Sequence, residues 1–189
     1  MAQALITYLK QISSLSASSE EALAALIQTQ SIKKGHHLQQ IGQTCKTLYF
    51  LKSGLARIHY FHEGNDVTEG FYEPFCLIAR AESLFGGLPS KKAIQVLADA
   101  EVWSISTKDL FALYDGHRDI ERLFMRLFER AYVQTIQRIE NLQFHTAEER
   151  YRLLAQDYPD VLRLVPLKFI ASYLGITQVS LSRIRAKRD

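Results

Sequence analysis

The chain has only two cysteines, Cys45 and Cys76, in 189 residues. A pair so far apart makes neither a disulfide framework nor a CxxC metal site. No run of about 18 consecutive apolar residues occurs, which excludes a membrane-spanning helix of the usual length. The opening Met-Ala-Gln-Ala-Leu-Ile-Thr-Tyr-Leu-Lys lacks the basic start and long apolar core of a secretory signal, so a soluble protein of the cytoplasm with no membrane partner is expected. Catalytic signatures are missing too. There is no HExxH, no Ser/His/Asp or Cys/His arrangement at motif spacing, and Gly86-Gly87 is not a phosphate loop. An enzyme is therefore not expected. What is present is 47% apolar and 23% charged residues, enough for a buried core in one large domain or two small ones.

The net charge of +3 is small, but it is concentrated. Residues 145–189 hold eight basic and five acidic side chains, whereas residues 1–144 balance at fifteen of each. The densest part is Arg183-Ile184-Arg185-Ala186-Lys187-Arg188. Such asymmetry points to an anionic partner at this end, with a merely solvated basic tail as the plain alternative.

Periodicity divides the chain into three. Residues 1–28 read as helical, with Leu5, Tyr8, Leu9 and Ile12 on one face and an N-cap in Ser18-Ser19-Glu20-Glu21. From Ser31 to about Ile105 the period falls to two, in runs such as Thr47 to Leu51 and Leu55 to Phe61. Glu63-Gly64-Asn65-Asp66 is a hairpin signal, and the many short strands predict a compact β-barrel or roll. A long helix follows over about 120–143, roughly 35 Å at ~1.5 Å per residue. Its apolar face is too wide for one barrel to cover, so besides the plain core-helix reading it is expected to pack against its twin in a homodimer. Leu123, Phe124, Leu127, Phe128 and Ala131 are the expected dimerisation residues. Thr146-Ala147-Glu148-Glu149 then starts another helix that ends near Asp157, ahead of Tyr158-Pro159.

The most informative stretch is Val165 to Arg185. Pro166 suits a helix start, and Ile170, Ala171 and Leu174 form an inward face on which the small Ala171 permits close approach. Gly175 supplies the turn, Ile176 plugs it, and Thr177 caps a second helix with Leu181 and Ile184 inward. This is a helix-turn-helix, the device that places a recognition helix in a DNA major groove, against the alternative of an ordinary helical hairpin. Gln178, Ser182 and Arg183 face outward where base edges are read, and Thr177 with the first free amides suits a phosphate. Ser180, Arg185, Lys187 and Arg188 are placed to grip the DNA backbone.

This order of parts resembles the Crp/Fnr superfamily of bacterial transcription regulators. Leu48-Tyr49-Phe50-Leu51-Lys52-Ser53-Gly54-Leu55-Ala56-Arg57 is similar to the family's glycine-centred hairpin, Ile94 to Val102 to its late strand, and Phe169 to Arg185 to its DNA-reading unit. The resemblance implies an α+β fold. A jelly-roll-like double-stranded β-roll with flanking helices would form a cyclic-nucleotide-binding-like sensor domain over 1–119. A dimerisation helix would follow over 120–144, and a helix-turn-helix lacking a full wing over 145–189. It also implies duplex DNA, a second copy of the chain and RNA polymerase as partners.

Two departures stand out. Cyclic-nucleotide-binding members carry a Gly-Glu pair followed about ten residues later by Arg and Ser or Thr. Here Ala81 precedes Glu82, and Lys91-Lys92 stands at the Arg-Ser position. A lysine lacks the fork that grips a cyclic phosphate, so cyclic AMP is not the expected ligand; a different small-molecule effector, or none, is. Glu82, Ser83, Lys91 and Lys92 are the candidate effector contacts, with a solvated loop as the plain reading of the two lysines. The two cysteines do not suffice for the family's iron–sulfur branch, and the six histidines, His37 and His59 among them, read as ordinary surface residues. The expected function is a homodimeric, sequence-specific DNA-binding transcription regulator. The alternative is a ligand-binding or protein-interaction module whose helical tail is structural.

Overall fold

A computed structural model describes residues 2–186. Two short helices open the chain, α1 (Gln3–Lys10) and α2 (Ala17–Leu26). The cap of α2 is Ser16, whose hydroxyl accepts from the Ser19 amide at 3.3 Å, and not the Ser18-Ser19 pair. Ser19 is buried and donates to Asp119 at 2.6 Å, so it ties this helix to a distant one.

Six strands follow: β1 (Gln28–Ile32), β2 (His37–Gln39), β3 (Thr47–His62), β4 (Asn65–Tyr72), β5 (Leu77–Ile78) and β6 (Ala93–Ser106). All pair antiparallel, in the order β1-β6-β3-β4, with β2 on β6 and β5 on β3. The long strands β3 and β6 form the spine. Their register shifts repeatedly between Leu51 and Ala56, where the ribbon bends. Gly54 makes the bend possible: its φ is +92°, and a Cβ there would stand 2.7 Å from the Asp99 carbonyl oxygen. Leu51, Ala56, Ile58, Ile94, Val96 and Val102 form the core within the roll.

A short helix, α3 (Ala81–Gly86), sits between β5 and β6, and α4 (Thr107–Leu113) leads into α5 (Arg118–Phe144). The first half of α5 completes a second core. Ile120, Leu123, Phe124 and Leu127 pack with Leu5, Leu9 and Leu23 of the opening helices and with Phe50 and Trp103 of the sheet.

Four helices close the chain: α6 (Ala147–Asp157), α7 (Pro159–Leu164), α8 (Leu167–Leu174) and α9 (Gln178–Ala186). Thr146 and Glu149 form a reciprocal capping box at the start of α6. Pro159 ends α6 and at once begins α7, because a first-turn proline lacks only an amide that would be unpaired anyway. The core of these helices includes Leu55, Phe71 and Leu97 of the roll, so the helical unit is docked on the sheet. No helix of the described residues is long and apolar enough to cross a membrane.

Candidate functional site

The helix-turn-helix comprises α8 and α9. Gly175 takes φ +68°, and the Ile176 amide reaches back to the Ala171 carbonyl at 3.0 Å, which closes α8. The Thr177 hydroxyl accepts from the Ser180 amide at 3.1 Å and caps α9. Leu174, Leu181 and Ile184 are buried. Thr177, Gln178, Ser182, Arg183 and Arg185 are exposed; Ser180 is half-buried and its hydroxyl meets that of Thr177 at 3.0 Å. Lys187 and Arg188 lie outside the described residues. Helical spacing places Gln178, Ser182 and Arg183 on one face near the start of α9. Val179, 61% exposed, shares that face and is invisible to a sequence search for polar contacts.

Not every basic residue of this unit is free. Arg150 donates to the Leu174 carbonyl at 3.0 Å and to the His145 carbonyl at 2.6 Å, fastening α8 to the end of α5. Arg163 pairs with Asp160 at 3.0 Å.

The junction between roll and helices centres on Arg57, which is 1% exposed. Its guanidinium donates twice to Asp66, at 2.8 and 2.7 Å, and also to Thr68 at 3.1 Å and Gln95 at 2.9 Å. Its face lies 3.5 Å from the ring centre of Phe169 in α8. The Thr68 amide donates to Ser172 at 3.0 Å, and Phe71 packs on Tyr173 at 5.1 Å. Burial raises the carboxyl pKa of Asp66, but the Arg57 bonds and charge outweigh it and hold Asp66 low. His59 is buried here, not on the surface, with Nδ1 3.2 Å from Asp66 and Nε2 3.3 Å from His37. Burial, reinforced by the Arg57 charge, lowers both imidazoles and keeps them neutral at neutral pH.

At α3 the sequence candidates separate. Glu82 accepts from Arg80 at 3.1 and 2.9 Å and from Ser90 at 3.0 Å. Ser83 is buried, accepting from the Cys45 amide at 2.9 Å and donating to the Leu88 carbonyl, so it serves the loop fold. Lys91 is exposed, and Lys92 pairs with Glu69. The buried cation of the region is Arg80, which no motif in the sequence marks. Its third edge meets Glu69 at 2.8 Å. Burial works against the charge of both Arg80 and Glu69, but their mutual attraction outweighs it in each.

Glu82 and Lys92 also line a cavity of about 640 Å³ between β4, α3, α5 and the C-terminal helices; Ser83 and Lys91 do not.

On α5 the expected dimer seam is displaced. Leu123, Phe124 and Leu127 are fully or almost fully buried in their own subunit, because α1 and α2 cover that face. Phe128 and Ala131 are half-buried and line the cavity. The exposed apolar residues are Met125, Tyr132, Val133, Ile136, Ile139 and Leu142, beyond the reach of the opening helices.

Residues 29–117 match the model of the cyclic nucleotide-binding domain family. No curated protein matches the chain. Among solved structures, FixK2 of Bradyrhizobium japonicum is 17% identical with a TM-score of 0.71, covering 85% of this chain and 83% of its own. The c-di-GMP-responsive global regulator CLP of Xanthomonas campestris is 15% identical, TM-score 0.71, with 91% of each chain covered. A Eubacterium rectale protein described as a transcriptional regulator of the Crp/Fnr family is 17% identical, TM-score 0.71, covering 90% and 82%. The chain thus carries a domain of the cyclic nucleotide-binding family. Its fold, β-roll, long helix and C-terminal helices together, is that of Crp/Fnr transcription regulators.

Proposed function

We propose that the protein is a homodimeric, sequence-specific DNA-binding transcription regulator of Crp/Fnr type whose effector is not cyclic AMP. The observation that carries this reading is the face of α9. Gln178, Val179, Ser182 and Arg183 stand clear of the protein's own body, while Leu181 and Ile184 hold the helix to α8. Glutamine pairs bidentately with adenine, arginine with guanine, and valine suits a thymine methyl. Thr177, Ser180, Arg185 and the more terminal Lys187 take the phosphates that set register.

A twofold partner supplies the second recognition helix. Met125, Tyr132, Ile136 and Ile139 recur seven, four and three residues apart, the spacing of a coiled-coil seam, and are exposed. They pair with the same residues of a second copy. Ile136→Glu converts the dimer to monomer in sedimentation velocity, and an unchanged dimer contradicts the seam.

Cyclic AMP is disfavoured because Glu82 and all three edges of Arg80 already have partners on the chain. The test of the main reading is selection of duplexes from a randomised pool. Wild-type protein enriches a sequence with twofold symmetry and half-sites one turn, about 34 Å, apart. Failure to enrich any duplex supports the alternative, an interaction module with a structural tail.

A further inference from the structure

The cavity beside α5 measures about 640 Å³, inside the range of about 300–1,000 Å³ usual for small-molecule sites. Three cations and two carboxylates line it: Arg80, Lys92 and Arg138 against Glu69 and Glu82. The pairing is unequal. Arg80 engages both carboxylates and Lys92 engages Glu69. No carboxylate among the described residues lies within ion-pair reach of Arg138. Its guanidinium lies 3.8 Å from the Tyr173 ring centre and donates to the Tyr173 carbonyl, which accounts for one of five N–H groups. Burial, joined by repulsion from Arg150, lowers its affinity for protons and leaves the charge poorly solvated.

The remaining wall is aromatic. Phe85 of α3 and Phe128 of α5 meet edge to face at 5.2 Å, and Tyr158 and Tyr173 come from the helical unit. Burial pushes the Tyr158 phenol up to about 12, so it remains a hydrogen-bond donor.

We propose that this cavity binds a small organic anion with a flat apolar body, its negative group on Arg138 and its body against Phe128 and Tyr158. The anion anchor is then on α5, not in the α3 loop where the resemblance would have put it. A ligand held there touches the roll, the long helix and the helix-turn-helix at once. It binds well only while the helical unit is docked, and so favours that arrangement over any other. The regulatory consequence rests on the DNA-binding reading above; the binding itself does not, and its test uses no DNA.

The probes are 8-anilinonaphthalene-1-sulfonate and N-phenyl-1-naphthylamine, which share an aromatic body and differ in the sulfonate. Fluorescence titration of the full chain is expected to give one saturable site per chain and about a tenfold preference for the sulfonate, the effect of one charged hydrogen-bonded contact. Arg138→Gln removes the preference with little change for the neutral probe, Arg138→Lys retains part of it, and Ala131→Trp, which fills the cavity, blocks both. The wild-type and lysine titrations decide the matter even if the glutamine variant does not fold. Equal affinity of the wild type for both probes, or undiminished binding of both by the tryptophan variant, overturns the proposal.

Discussion

The α3 loop and the α9 helix are both polar regions with conspicuous cations, yet they are organised in opposite ways. Around α3, Arg80 is buried and each edge of its guanidinium meets a carboxylate of the same chain. On α9, Arg183 and Arg185 are exposed, and no carboxylate of the described residues pairs with them. A cation whose partners are already on the chain holds structure together, whereas one left without them offers binding energy to something else. Arg57 and Arg138 repeat the contrast at the junction, the first with four hydrogen bonds to side chains, the second with one to a carbonyl.

The contrast breaks most visibly at Arg57. Arg57→Ala leaves Asp66 buried beside neutral groups and removes the cation over Phe169, so a loss of about 3–5 kcal/mol is expected in urea denaturation. A loss under about 1 kcal/mol means that the junction is held by apolar contacts alone. The double variant Gln178→Ala/Arg183→Ala does the reverse. Affinity for the selected duplex falls by about 2–4 kcal/mol, while stability moves by less than about 0.5 kcal/mol, because neither side chain touches the core. Glu82→Gln sharpens the reading of α3. It costs about 1 kcal/mol of stability by weakening the bonds to Arg80 and Ser90, and cyclic AMP shifts the melting temperature of neither variant nor wild type.

The smallest effect lies at the α2–α5 contact. Asp119 is held at about 2 by bonds from the Ser19 hydroxyl and the Ser16 amide. Its folded pKa is below the unfolded value of about 4, so its contribution is complete above about pH 4 and is lost as the pH falls toward 2. Asp119→Asn is therefore less stable than wild type at neutral pH, and the gap closes on acidification across that window. A gap that stays constant would show that the carboxylate is not involved.

Local chemistry was legible in the sequence and long-range chemistry was not. Gly175, Thr177 and the capping box at Thr146 act on neighbours three or four residues away, so motif spacing sufficed to find them. The Arg57 site draws on Asp66, Thr68, Gln95 and Phe169, from two further strands and a helix, and no window of sequence holds them together. His59 reads as a surface residue for the same reason: its burial depends on β2 and β4 lying alongside. On α5 the apolar stripe is plain, but the chain does not advertise where its cover ends. The opening helices take Leu123, Phe124 and Leu127, and only residues past them are left exposed. β1 gave no alternating signal because four of its five residues are exposed.

The central claim, that α9 presents free cations to a duplex, is tested most directly by salt. Kd for the selected duplex, measured by fluorescence anisotropy from 50 to 300 mM salt, is expected to give a linear log–log plot for the wild type. Its slope should decrease by about two in Arg183→Ala/Arg185→Ala, one for each cationic side chain removed from the DNA face. An unchanged slope in that variant, or a wild type that binds no duplex at low salt, would contradict the account.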